Sequence, residues 1–507
     1  MNTLLKAVGL TLAASALTSA VGSSAFAHGD GFGQKDIGQQ VEALIRAQSF
    51  RLFGIVTPLS ESSTTSLTAA QIDANPAALL TVARGLRVRV VSAGADLAPN
   101  IDQMVLWPND KHPTHIIACN EQGAAQIGVQ RIDLRTGAVG TIVASGLSSC
   151  DPVRMTPWHT IIVGEEAGTN GRIFEIIDPL NTTDVAISGS GAGTGISGAN
   201  AANVAFRGTL GQMSFEGLAI LPNGVTYMSD ENRPGGGNPG GAVIKFIPSN
   251  PWVSGNTAIT DLSQSPYTAG TLWGMRVGRN SGNSDYGQGN EFGRGVWVSV
   301  PMSSNAAPTN LRIEARNLKL TSYYRPEDMD VDLKELAAGN VRFCGTNTGQ
   351  DIPDASSNGD NHWGEIYCIK DGTIAQAANA VTLSVPEYQP LVIGNLDFAM
   401  MDNVAYQPGR GNWISNEDGE GPTYALPRNN DIFACLDDGD DADQLSDGCV
   451  KVMTLNDLTA ESTGGVFDAT GTRYFVSIQH NASGHGVVLE VTGWNNPWRG
   501  GRDDWRD

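Results

Sequence analysis

The chain has 507 residues, of which 61 are Gly, 24 are Pro and only 17% are charged, a turn-rich globular composition that excludes a mostly disordered protein. Its 32 Lys plus Arg against 53 Asp plus Glu give a formal charge of −21, which argues against nucleic acid and anionic membrane as partners. Excess carboxylate instead suits hard cations such as calcium, which take about six to eight oxygen ligands.

Residues 1–27, MNTLLKAVGLTLAASALTSAVGSSAFA, combine one Lys, a short apolar run and a small-residue end, the pattern of a secretory signal peptide cut before His28. No later stretch reaches the roughly 18 apolar residues of a spanning helix. A periplasmic or secreted protein is expected, with residues 28–507 forming one monomeric domain. Six cysteines agree with an oxidising destination. Cys435 and Cys449 bracket an acidic loop, and Cys344 and Cys368 bracket a turn-rich insertion, so each pair is expected to be bridged. Cys119 and Cys150 leave two alternatives, a third disulfide or a thiolate ligand at Cys150.

Asp36 caps a segment in which Ile37, Val41, Leu44 and Ile45 recur at helical spacing, predicting a short N-terminal helix. Beyond it, short apolar runs alternate with Gly, Asn and Pro turns, the pattern of an all-β fold. Six segments share one layout of polar residue, apolar strand, turn, second apolar strand and polar end. They begin at Asp102, Cys150, Glu216, Glu327, Asp402 and Glu461, and predict a six-bladed β-propeller with long inter-blade loops. Because each segment is a hairpin, its first and last residues meet at one end of the sheet. The six leading residues would then converge on one mouth of the axial channel, joined by Glu121, Glu166, Glu231 and Glu417 from the hairpin partners.

So many carboxylates cannot ionise together without cations. Oxygen ligands favour calcium, magnesium or manganese, and a thiolate at Cys150 would widen the choice to iron or zinc. Arg325, two residues before Glu327, is placed by strand alternation on the same face, where a guanidinium beside metal ions suits phosphate.

These residues resemble the PhoX-type alkaline phosphatases, exported six-bladed propellers that hydrolyse phosphate esters with an iron and calcium cluster. The resemblance runs from Asp102 to the C-terminal strands. Asn100-Ile101-Asp102 and Cys119-Asn120-Glu121 are similar to that family's first paired segments, and CDPVRMTPWHTIIVGEE from Cys150 to its Cys, Thr-Pro-Trp, Glu-Glu segment. FEGLA, RPEDMDVD, MDNVAYQP and ESTGGVFDATGTRYFVSIQH follow in the family's order. It implies iron bound by Cys150, metal ligation by Asp102, Glu121, Glu166, Glu216, Glu327, Asp402 and Glu461, and phosphate contact by Arg325, with a small-molecule phosphate ester as substrate. Three features depart from the family pattern: the signal lacks a twin Arg, the interval from Cys150 to Thr156-Pro157-Trp158 is one residue longer than the family's, and Cys119 stands where His is usual. The second leaves Glu165 and Glu166 as alternatives. If Cys119 bridges Cys150, the iron ligand is lost.

Phosphoryl transfer is largely positioning and electrostatics, so no covalent nucleophile is required. His480, at the end of the sixth hairpin, is the expected proton donor to the leaving group, with His159 and His485 as lesser candidates. The acidic loop between Cys435 and Cys449 is expected to bind a structural calcium. The competing function is a calcium-dependent hydrolase of lactones or other non-phosphate esters, or a calcium-stabilised extracellular binding module.

Overall fold

In a computed structural model, the described residues are 37–234, 239–277, 292–349, 363–379, 385–419, 428–439 and 443–495. The signal peptide expected at 1–27 lies outside them. The N-terminal helix forms over Ile37–Ala47, and Ile45 rests against an apolar cluster that includes Ile432, Val450 and Leu489. Shorter helices also occur, among them Leu311–Leu318, capped by the Asn310 side chain accepting from the Ile313 amide at 3.0 Å.

The remaining regular structure is mostly antiparallel strand, and the arrangement is propeller-like. Six inner strands, Ile101–Trp107, Cys150–Met155, Phe215–Ile220, Pro326–Val331, Met401–Gln407 and Glu461–Phe467, each start a hairpin. Each packs against the next, and the sixth packs back on the first. They are nearly fully buried because they face both their own sheet and the neighbouring inner strands. Apolar side chains fill the wedge between adjacent sheets; Val105, Ile117 and Val129 of the first meet Val153, Val163 and Phe174 of the second.

The hairpins fall into five sheets of six, four, ten, five and four strands, where six separate ones were expected. The third and fourth hairpins share the ten-stranded sheet, whose halves join through only two residue pairs, Gly293 with Tyr388 and Arg294 with Glu387. The N-terminal region supplies the outer strands of the last two sheets: Leu80–Val82 pairs with Cys449–Leu455, and Arg87–Gly94 with the C-terminal Gly486–Thr492. Strands from both ends of the described chain thus complete the same sheet.

Cys344–Cys368 and Cys435–Cys449 are bridged, each across a directly paired position of neighbouring strands. Cys119 and Cys150 also form a disulfide. This corrects the assignment of Cys150 as a metal ligand. A half-cystine carries no thiolate, and both sulfurs belong to the apolar cluster between the first two sheets.

Candidate metal centre

The site is built by a repeated irregularity of the inner hairpins. In the first, Ile101 pairs with Asn120 and the next pairing is Met104 with Ala118, so three steps on the inner strand match two on its partner. The extra residue is a β-bulge, which disrupts the ladder and re-aims side chains. The same slip follows Cys150 paired with Glu165, Phe215 with Asp230, Pro326 with Asn347, and Met401 with Glu417. The residue entering each bulge is Asp102, Asp151, Glu216, Glu327 or Asp402, and all five line one cavity of about 690 Å³. In the sixth hairpin the bulge falls later, between Thr463 and Val466, and holds Gly464 at φ 65°; a Cβ there would lie 2.2 Å from the Asp102 carbonyl oxygen. Glu461 instead enters the cavity from the start of its strand.

A second tier comes from the residue just beyond each partner strand. Backbone amides of Glu121, Glu166, Glu231 and Asp418 donate to the carbonyls of Asn100, Ser149, Ser214 and Met400, extending each hairpin by one bond. All four side chains line the cavity. Thr348 holds the corresponding place in the fourth hairpin, and its hydroxyl donates to Glu327 at 2.9 Å.

The residue before each of these serves the scaffold. Glu165 accepts from the Ser148 amide at 2.9 Å and takes both forks of Arg172 at 2.6 and 2.7 Å. Asp230 is bound by Arg312, and Glu417 by Arg428. Glu166, not Glu165, therefore faces the cavity, and Asp418 replaces the expected Glu417.

Arg325 is the buried cation of the site. It adopts φ 50°, a region unusual for any residue but Gly, and its neighbour Pro326 fixes the strand that follows. The guanidinium lies 2.8 Å from Glu231, 3.1 Å from Glu327 and 3.1 Å from Asp418. Simple strand alternation does not bring Arg325 to Glu327; the left-handed backbone and the bulge do. His480, also at positive φ, lines the rim 3.8 Å from Glu461. His159 packs on Trp107, and neither it nor His485 lines the cavity.

Burial raises Asp102, Asp151, Glu216, Glu327, Asp402 and Glu461 well above the ordinary carboxyl range, and neighbouring carboxylates push each further. Burial, then the charge of Asp418, lifts Glu121 to about 7. Burial, then Glu231 and Glu121, lifts Glu166 to about 9. For Glu231 burial works upward but is outweighed by the charge and hydrogen bond of Arg325, and the carboxyl sits low.

Two carboxylate triads can each close on one ion, with ligand atoms within 4.8 Å of one another: Asp102 with Glu121 and Asp151, and Glu216 with Glu327 and Asp402. In the first, Asp102 Oδ1 and Asp151 Oδ1 are buried with no hydrogen-bond donor. A buried acceptor left unpaired costs about 1–3 kcal/mol, so each invites a ligand. This donor set fits a hard divalent cation. It does not fit thiolate-bound iron, because Cys150 is spent in its disulfide. Of the twelve residues expected at the site from sequence, ten line the cavity; Cys150 and Glu417 do not. Sequence reasoning missed Asp151 and Asp418, each one position from a residue it selected.

Fold and cavity together define a propeller-like protein whose axial mouth is lined by carboxylates around a buried arginine. The sequence over residues 127–482 matches the family Alkaline phosphatase PhoX, and the chain belongs to that family. It is accordingly a phosphoric ester hydrolase of a metal-dependent family. A solved structure, Pseudomonas fluorescens PhoX in complex with vanadate, a transition state analogue, superposes with a TM-score of 0.59 at 14% identity, covering 86% of this chain and 98% of that one. Weaker likenesses are a Xanthomonas campestris gluconolactonase (TM-score 0.39, 10% identity, 86% and 96% covered) and a Streptomyces coelicolor aldose sugar dehydrogenase (0.38, 12%, 82% and 99%). No curated protein matches the sequence.

Proposed function

We propose that the protein is an exported six-bladed propeller phosphatase that hydrolyses small-molecule phosphate esters at an all-oxygen metal centre, with calcium as the cation. The observation that carries this is the convergence of five bulge carboxylates and Arg325 on one cavity. Six blades are supported by the closed ring of six inner strands and by the slender joint within the ten-stranded sheet. Export is supported by the signal-like N-terminus and three disulfides.

Asp102, Glu121 and Asp151 would hold one ion, and Glu216, Glu327 and Asp402 another. Glu166, Glu461 and Asp418 line the same cavity and would supply further oxygen ligands. When bound, calcium supplies neutralisation of these charges, polarisation of phosphoryl oxygens and a lowered pKa for bound water. Arg325 would give up part of its carboxylate contacts to donate to phosphate oxygens, and its burial makes that charge effective where negative charge develops. The pairing with Glu231 and Asp418 holds the guanidinium in place before substrate arrives. Gln103 and Gln479 orient the first tier, donating to Glu216 at 3.3 Å and Asp102 at 3.2 Å. His480 Nε2 is exposed on the rim, where it can pass a proton to the departing oxygen.

That the Pseudomonas protein forms a complex with vanadate, a transition state analogue, is in keeping with this reading. The test is release of phosphate from p-nitrophenyl phosphate by the wild type and by Glu327→Ala and Arg325→Ala. Loss of most activity in both is expected, and full activity in both would refute the assignment.

A further inference from the structure

The cavity is lined by many carboxylates, and among its described lining residues the permanent cations are two, Arg325 and Arg233. They differ in situation. Arg325 is buried and already grips Glu231, Glu327 and Asp418. Arg233 is exposed, and among the described residues it makes no ion pair or side-chain hydrogen bond, while its charge helps to hold Glu231 low. Its segment is nonetheless fixed over the centre. The Arg325 amide donates to the Asn232 carbonyl at 3.2 Å, and the Asn232 side chain donates to the Pro239 carbonyl at 2.7 Å.

We propose that Arg233 is a specificity residue that binds a second phosphate on the leaving group, favouring substrates in which the ester being cleaved is accompanied by another phosphate. The inference rests on the assignment of Arg325 and the cations to the phosphate being cleaved. With that phosphate held at the buried arginine, the leaving group extends toward the rim. Most charged side chains lining the cavity are carboxylates, and Arg233 is the permanent cation among the described lining residues that no described carboxylate engages, so this guanidinium decides whether a second anion is tolerated. The guanidinium of Arg233 is also better placed than that of Arg325 to form a bidentate contact, because no carboxylate among the described residues must be displaced first.

The experiment compares fructose 6-phosphate with fructose 1,6-bisphosphate on the calcium-loaded protein, by steady-state kinetics and by calorimetric binding, in wild type, Arg233→Ala, Arg233→Lys and Arg325→Ala. The wild type is expected to show a lower KM and tighter binding for the bisphosphate. Arg233→Ala should raise KM for the bisphosphate by about tenfold more than for the monophosphate, as loss of one charge-assisted contact implies, and Arg233→Lys should recover part of it. Arg325→Ala should weaken both ligands alike. An unchanged ratio in Arg233→Ala, or a wild type that does not distinguish the two sugars, would overturn the role of Arg233 and leave the phosphatase assignment standing. Wild type that neither binds nor cleaves either sugar phosphate nor p-nitrophenyl phosphate would overturn both.

Discussion

Cys150 and Asp151 are adjacent in sequence and serve opposite sides of one inner strand. Cys150 closes a disulfide with Cys119 inside the apolar wedge, while Asp151 enters the bulge and lines the acidic cavity within ligand distance of Asp102 and Glu121. The cavity-facing position of the second hairpin is therefore a carboxylate.

The two residues should separate cleanly by substitution. The double variant Cys119→Ser with Cys150→Ser is expected to keep calcium and phosphate release, and to lose roughly 3 kcal/mol of stability as the loop constraint disappears. Asp151→Asn should weaken calcium binding by about tenfold or more, since ligands matter at least as much as their supporting shell. Calcium titration and denaturant unfolding of both proteins check this; equal calcium loss in the two would return Cys150 to the centre.

Glu165 and Glu166 make a similar pair. Glu165→Gln breaks the two-pronged contact with Arg172 and strands a buried guanidinium, so stability should fall by about 3–5 kcal/mol with calcium binding retained. Glu166→Gln should act on calcium affinity with little loss of stability. A reversal of these effects, read by the same two measurements, would place Glu165 at the metals.

Arg325→Ala is expected to lower kcat/KM by roughly a hundredfold to a thousandfold, the scale on which loss of one donor to a developing charge is felt. Arg325→Lys should recover only part, because an ammonium cannot reproduce the fork. Steady-state kinetics within a few-fold of wild type would remove Arg325 from the reaction.

Without metal, the cavity should make stability fall as pH rises. The folded chain holds protons on Glu121 up to about 7 and on Glu166 up to about 9, whereas the unfolded chain releases them near the ordinary value of 4.5. Between these values the native state binds more protons, so each rise in pH favours unfolding. Chelated protein should lose thermal stability steadily from pH 5 to pH 9, and calcium should flatten that slope by replacing the protons. A chelated protein with no such slope would mean the carboxyls are not buried together.

Much of the architecture was legible in the sequence because polar-strand-turn-strand-polar segments are long and repeat in order. The residues Asp102, Glu216, Glu327 and Asp402 follow from that pattern, while the N-terminal helix was legible from its apolar spacing and the two loop-closing disulfides from the loops their cysteines bracket. What the pattern hid was register. A bulge adds one residue to one strand without a sequence signal of its own, so the alignment selected Cys150 for Asp151 and Glu417 for Asp418. The available cue was the acidic residue beside each, in CDP and NED. The alternation in RVRVV at residues 87–91 could have marked the strand that closes the last sheet. The joining of the third and fourth hairpins into one sheet was not readable, because it depends on two backbone pairings across long insertions.

The most direct test is elemental analysis of the oxidised, purified protein, with phosphate release from p-nitrophenyl phosphate followed on the same sample before chelation, after it and after calcium is restored. Calcium is expected at both carboxylate triads, with no thiolate-to-iron absorption band and with phosphate release that disappears with chelator and returns with calcium. Undiminished phosphate release from calcium-free protein, or iron carrying a thiolate band, would contradict this assignment.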